Sequence, residues 1–268
     1  MELNIIYMYI GFLLAAYSVI ANDSIQTLGT FLASNKAHFK WYTLWFAASV
    51  MLVYTITYGW LNYDGDISYG RLTRIPFQEV QWYHAAAPAV LLLLTRKGIP
   101  VSTTFLVLSA FASFTVLEKV LMKSIVGYGV AALSAYIIWV VLERYINEKK
   151  DHPEHIKFWR VGQWVTSGWL WFAWLQHDMA NIAVFLPRQL MLGDLLMVLV
   201  ATVAILGYVF YTGGGRIQEV VINKHGTRFA RSSTIINLVY AFVLYFFKEL
   251  NDLPMSTTWV FVGLLTGR

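Results

Sequence analysis

Two acid-and-amide hexapeptides and two hydroxyl-rich pentapeptides carry the chemistry of this chain. Ala21-Asn22-Asp23-Ser24-Ile25-Gln26 has a counterpart in Gln176-His177-Asp178-Met179-Ala180-Asn181, and Pro100-Val101-Ser102-Thr103-Thr104 has one in Pro254-Met255-Ser256-Thr257-Thr258. The acidic residue recurs after 155 positions (23 to 178) and the serine after 154 (102 to 256). That agreement makes the chain a twofold internal repeat. Each copy sets polar groups inside an apolar stretch at a matching position, the pattern of a secondary transporter that binds a polar solute near the bilayer midplane.

The two motif types have complementary chemistry. An Asn-Asp pair at the end of an apolar run predicts a helix break, because both side chains compete for backbone hydrogen bonds, and Gly29 then permits a tight turn. Freed carbonyls and a carboxylate form a hard oxygen shell for a small cation, and a bilayer tolerates such groups only where protein or a cavity satisfies them. Asp23 and Asp178 are therefore candidate sodium ligands. Asn22, Gln26, His177 and Asn181 stand beside them as contacts for a coupling ion or an anion. Taken singly, each Asp reads equally well as a helix cap at the membrane surface; the matched pair favours the intramembrane site.

In the second motif, proline opens a helix at its first turn, and three consecutive hydroxyl residues present donors at a helix N-terminus, which attracts anions. Ser102, Thr103, Thr104, Ser256, Thr257 and Thr258 are the candidate anion ligands. One such string is an ordinary helix cap; its duplication at 79 positions (23 to 102) and 78 positions (178 to 256) after the acids is what gives it weight. A cation-type and an anion-type site in each repeat point to symport of an anion with a cation.

The elements that must position these residues are membrane helices. Of the 268 residues 58% are hydrophobic and only 13% are charged, and the mean hydropathy is +0.56, which does not suit a water-facing surface. Apolar runs recur near 3–20, 41–61, 81–95, 103–117, 124–142, 158–175, 189–212, 232–247 and 255–266. Several approach the ~20 residues that cross a bilayer, and the shorter ones suit re-entrant hairpins. The first run has no basic residue before it and no small-residue cleavage site after it, so it reads as a retained helix. With no cysteine, disulfides and thiolate metal sites are excluded.

The formal charge of +5 sits in short loops and not along one stripe, so topology explains it better than nucleic acid does. With the N-terminus outside and the second copy inverted, the loop at 61–80 faces out, where Arg71 and Arg74 meet Asp64, Asp66 and Glu79. The loops at 143–160 and 214–231 then face in, carrying Arg144, Lys149, Lys150, Lys157 and Arg160, then Arg216, Lys224, Arg228 and Arg231. Repeat 1 covers 1–142, a polar linker 143–155, and repeat 2 156–268. The second repeat is shorter, with twelve residues after Ser256. Trp and Tyr near run ends, such as Trp41, Trp60, Trp82 and Tyr211, read as interfacial anchors.

Lesser candidates are His177 as a proton relay, Asp194 as an intramembrane acid or a surface group, Arg188 as an anion contact or membrane-edge anchor, and Glu118, Lys119 and Lys123 as an interfacial cluster. No phosphate loop, metal-spaced histidine set or nucleophile elbow is present, and nothing accompanies His177 and Asp178 that would make them an enzyme's acid-base pair.

These segments resemble the signatures of the inorganic phosphate transporter (PiT) family, whose halves each carry a Gly-Ala-Asn-Asp-x-x-Asn-like sequence followed by Pro-Val-Ser-Thr-Thr-His. Ala21-Asn22-Asp23 with Gly29-Thr30 looks like the first signature, and Asp178-Met179-Ala180-Asn181 with Pro187 looks like its repeat. Gly98-Ile99-Pro100-Val101-Ser102-Thr103-Thr104 and Leu253-Pro254-Met255-Ser256-Thr257-Thr258 are similar to the later ones, and the likeness runs over nearly the whole chain. Gln26 and His177 depart from the family pattern, as do Phe105 and Trp259 where it has His, and the second half is short of a helix or hairpin arm.

The resemblance implies an all-α polytopic membrane protein, an inverted-topology twofold repeat with broken helices and re-entrant hairpins. It further implies a sodium- or proton-coupled symporter importing inorganic phosphate by alternating access, with no organic cofactor, in the inner or plasma membrane, and a homodimer. A sulfate permease of the same fold, or a non-transporting phosphate sensor or assembly subunit, are the alternatives; Gln26, His177 and the short second repeat motivate the sensor.

Overall fold

The computed structural model describes residues 3–99, 101–111, 155–214, 218, 229–246, 258, 260–261 and isolated positions between 125 and 141. Ser256, Thr257, Glu118, Lys119, Lys123 and the linker up to residue 154 lie outside the described residues. Within the described set all regular structure is helical. The helices are α1 (Leu3–Asn35), α2 (Trp41–Asn62), α3 (Ala86–Arg96), α4 (Thr103–Leu108), α5 (Ile156–Asp178), α6 (Ala180–Ala183), α7 (Leu192–Tyr211) and α8 (Ala230–Leu244). Two 3-10 turns, Arg71–Arg74 and Trp82–Ala85, lie between α2 and α3.

Three helices, α1, α2 and α7, are long and apolar enough to cross a membrane. At 33 residues α1 is about 50 Å long at 1.5 Å per residue. The 23 residues of α5 match a span in length, but its sequence is less apolar because one face is polar. Gln163, Thr166, Ser167, His177 and Asp178 are buried on that face, while Phe158, Val161 and Val165 are exposed at 71%, 65% and 66%. This is the reverse of a water-soluble amphipathic helix, and it is what lipid as a solvent requires: apolar side chains outside, polar ones only where protein satisfies them. The chain is an integral membrane protein.

By contrast, α3 (11 residues) and α4 (6 residues) pack on one another and reach only about 16 Å and 9 Å. Neither can cross ~30 Å of hydrocarbon, so together they form a short hairpin. Its turn passes through Gly98 at φ +77°, a left-handed conformation that glycine adopts without strain.

Helix directions follow from contacts at the two ends. At one end Asn4 donates to Glu79 (2.8 Å), the Trp60 indole donates to the Leu190 carbonyl (2.8 Å), and Arg71 reaches the Gln176 carbonyl (3.0 Å). At the other, Arg160 donates to Asn35 (3.1 Å), Arg231 lies over the Trp159 ring, and Trp41 meets Tyr211 edge-on. Thus α1 and α7 run from the first end to the second, and α2 and α5 run back. Packing pairs off in the same way: α1 contacts α3 as α5 contacts α8, and α1 contacts α7 as α5 contacts α2.

The break expected at Asn22-Asp23 does not occur: α1 runs unbroken from Leu3 to Asn35, through Gly29. The reason is that these side chains have partners on other elements. Asn22 gives its amide to the Val101 carbonyl, so it does not compete for its own helix backbone. In a dry interior an unsatisfied peptide group costs several kcal/mol, which holds the helix together. In the second copy the interruption is a single residue, Met179, between α5 and α6, and its backbone stays right-handed helical (φ −58°, ψ −27°).

Of the expected aromatic anchors, Trp41, Tyr42, Trp82, Tyr83 and Tyr211 are exposed. Trp60 is half-buried and serves as a cross-helix hydrogen-bond donor instead.

Candidate functional site

The polar centre forms where α1, the segment 101–104 and the α5–α6 junction meet. Asn22, Asp23 and Gln26 occupy one face of α1, and all three are buried. Asn22 Nδ2 donates to Val101 O at 2.9 Å and to Asp23 Oδ1 at 2.6 Å. Asn22 Oδ1 accepts from the Thr95 hydroxyl of α3 at 3.4 Å. Gln26 Nε2 also approaches Asp23 Oδ1, at 3.4 Å.

Ser102 precedes α4, its carbonyl accepting the first helical bond from Leu106 N (3.1 Å), so the hydroxyl motif does open a short helix. From there Thr104 Oγ1 donates to Asp178 Oδ1 at 3.0 Å. Asn181 Nδ2 lies 3.2 Å from both Thr103 Oγ1 and Thr104 Oγ1 and 3.3 Å from Asp178 Oδ1. Thr258, from the second hydroxyl motif, donates to Val101 O at 2.8 Å. Residues from all four duplicated motifs therefore converge on the segment 101–104. One shared centre results, and not two separate ones.

The two acid motifs leave the same group over. In each, an amide three residues beyond the acid turns its NH2 toward the carboxylate. The amide oxygens, Gln26 Oε1 and Asn181 Oδ1, are buried with no hydrogen-bond partner among the described residues. An unsatisfied buried acceptor normally costs about 1–3 kcal/mol, so an arrangement that repeats it calls for a donor or a cation. A carboxylate and an amide oxygen are the hard ligands that a small cation takes. Among the described residues no three His, Asp or Glu side chains converge as a transition-metal site would need.

Two buried carboxylates also carry an electrostatic demand. Asp23 and Asp178 are both almost fully shielded from the surroundings. A charged carboxylate is costly in such a place, and a cation bound beside it offsets that cost.

His177 reaches the loop between α2 and α3. Its Nε2 lies 3.3 Å from the Arg71 guanidinium, whose Nε donates to the Gln176 carbonyl at 3.0 Å. With a guanidinium donating to it, Nε2 is the acceptor nitrogen. Arg188 bonds the Ile75 carbonyl (3.3 Å) and lies over the Phe77 ring, and burial lowers its pKa while Asp66 opposes that shift. It braces the loop of the first repeat. Asp194 accepts from Met191 N (3.3 Å) and caps the first turn of α7.

Two participants escape the sequence. Arg71 enters there only for its charge, and Thr95 ends an apolar run. A further polar layer was also missed: Asn35 with Gln163, Arg160 and Trp164, Gln163 with Ser34, and Asn237 with Thr30 and Ser167. The signal was present as polar residues on one face of α5, but their partners are more than 60 residues away.

Buried acids, amides and hydroxyls thus meet at the centre of a helical membrane protein. Its fold matches a solved structure titled "The sodium-dependent phosphate transporter" with a TM-score of 0.66 and 18% sequence identity, over 100% of this chain and 89% of that one. No protein-family model and none of the curated proteins compared matches the chain.

Proposed function

We propose that the chain is a PiT-type symporter that moves inorganic phosphate with a small cation by alternating access. The observation that carries this reading is the duplicated set of a buried carboxylate and an amide oxygen without a partner among the described residues, on either side of a hydroxyl segment. Asp23 with Gln26 and Asp178 with Asn181 hold the coupling cations, sodium or protons. Ser102, Thr103 and Thr104, with Thr258 and its neighbours Ser256 and Thr257, donate to the anion. Cation binding neutralises the acids, which lets a divalent anion sit within a few ångströms of them. Neither charge enters alone cheaply, and that is a physical basis for coupling.

Phosphate is favoured over sulfate because hydrogen phosphate keeps a proton that a carboxylate accepts, whereas sulfate at neutral pH has none. Repeats at 1–142 and 156–268, joined by the linker 143–155, are related by inversion in this reading; the opposite directions of α1 and α5, and of α2 and α7, support it. The end with α1's C-terminus carries Lys36, Lys40, Lys157, Arg160 and Arg231 and no acid among the described residues, which supports placing it inside and the N-terminus outside.

The test is radiolabelled phosphate uptake into proteoliposomes under an imposed sodium or proton gradient. Uptake that follows one gradient and is competed weakly by sulfate is the expected result. Uptake indifferent to both gradients overturns symport. Binding with no uptake favours the sensor instead, a reading to which the contact of His177 with Arg71 gives a specific observation.

A further inference from the structure

The turn between α1 and α2 lines a pocket of about 580 Å³, further along α1 than the polar centre. Lys36, His38 and Lys40 are on its wall and exposed, and among the described residues none that lines it is acidic. Its aromatic side is formed by Trp41 and Tyr42 from the start of α2 and Tyr211 from the end of α7. These are exposed at 41%, 48% and 68%. Trp41 and Tyr211 meet edge-on at 5.4 Å, and the Lys40 ammonium lies 5.7 Å over the Tyr42 ring.

We propose that this pocket binds the headgroup of an anionic phospholipid. Basic side chains supply charge to a phosphodiester, and exposed Trp and Tyr are the residues that settle at headgroup depth. The mouth adjoins lipid-facing apolar surface, with Phe46 one turn further along α2 exposed at 67%. A headgroup seated between Lys36 and Lys40 therefore has somewhere to lay its acyl chains. A free phosphate ion would make no use of the aromatic rim, and this decides the choice between the two phosphate sources. The site stands apart from the transport reading, since it shares no residue with the central motifs.

The experiment measures thermal stabilisation of the full chain in neutral detergent by phosphatidylglycerol, phosphatidylcholine or inorganic phosphate, together with the headgroup composition of copurifying lipid. Phosphatidylglycerol is expected to stabilise the protein and to be enriched over the bulk membrane. Two lysines at about a factor of five each give roughly a thirtyfold loss of apparent affinity in the K36Q/K40Q double variant. Lys157→Gln, at the same end but outside the pocket, keeps the effect, and an unchanged lipid-free melting point shows that K36Q/K40Q folds. Equal stabilisation by phosphatidylcholine, or an effect that survives in K36Q/K40Q, overturns the proposal. So does stabilisation by inorganic phosphate alone that this variant abolishes, because the pocket would then take the free ion.

Discussion

The two acid motifs share a chemistry and differ in surroundings. Asn22-Asp23 sits in the middle of an unbroken 33-residue helix and reaches a backbone carbonyl, Val101 O, through Asn22. Asp178 sits at the end of α5, beside a one-residue interruption, and takes a hydroxyl, Thr104, at 3.0 Å. The first copy thus holds the backbone of the segment 101–104 and the second holds its side chains. A duplicated sequence has been used for two tasks, anchoring the segment and reading it. The two copies should therefore respond unequally to the same substitution.

Removing each charge gives the largest effects. Asp178→Asn and Asp23→Asn should each weaken apparent cation affinity by on the order of a hundredfold, about 3 kcal/mol for breaking up a buried charged group. Cation titration of anion binding measures it. Because Asp178 accepts from the Thr104 hydroxyl, Asp178→Asn should also weaken anion binding at saturating cation, and by more than Asp23→Asn does. Equal anion losses would erase the distinction between the copies.

Next in size is Thr104→Val, which keeps shape and removes a donor. Loss of a hydrogen bond to a charged group costs about 1.5–3 kcal/mol, roughly ten- to over a hundredfold in anion affinity. In double-mutant cycles Thr104→Val should couple to Asp178→Asn by about 1 kcal/mol or more and to Asp23→Asn by less than about 0.5 kcal/mol. The reverse pattern would show that α4 is read from the α1 side.

His177→Asn gives the second copy the residue found at position 22 and removes the contact with Arg71. With His177 tied to Arg71, cation affinity should shift by no more than about fivefold, ~1 kcal/mol. A larger loss in isothermal titration would place His177 in the cation shell.

Smallest in its effect on binding is Gly65→Ala, which tests how the two halves are held together. Gly65 has φ +87°, accepts from Leu190 N at 3.0 Å, and a Cβ there would stand 3.1 Å from the Leu190 backbone. The alanine should destabilise by about 1–2 kcal/mol, a few degrees in the melting temperature, while affinities stay within about twofold.

How far the site could be read in one dimension varies by residue. Asp23, Asp178, Thr103 and Thr104 stood out because polar residues are rare inside apolar runs and these came twice at one interval. Membrane class, helix positions near 41–62 and 192–211, and the short helix after Ser102 followed from hydropathy and capping, which act over a few residues. Helix continuity at Asn22 did not follow, because propensity weighs a side chain against its own backbone and cannot count a partner 79 residues on. Only the tertiary structure decided that Asp178 of the second copy faces Thr104 of the first and that Arg71 meets His177. Duplication and hydropathy are local properties of the chain. Which copy meets which depends on how the helices pack, and that is set by the long-range need to satisfy every buried polar group at once.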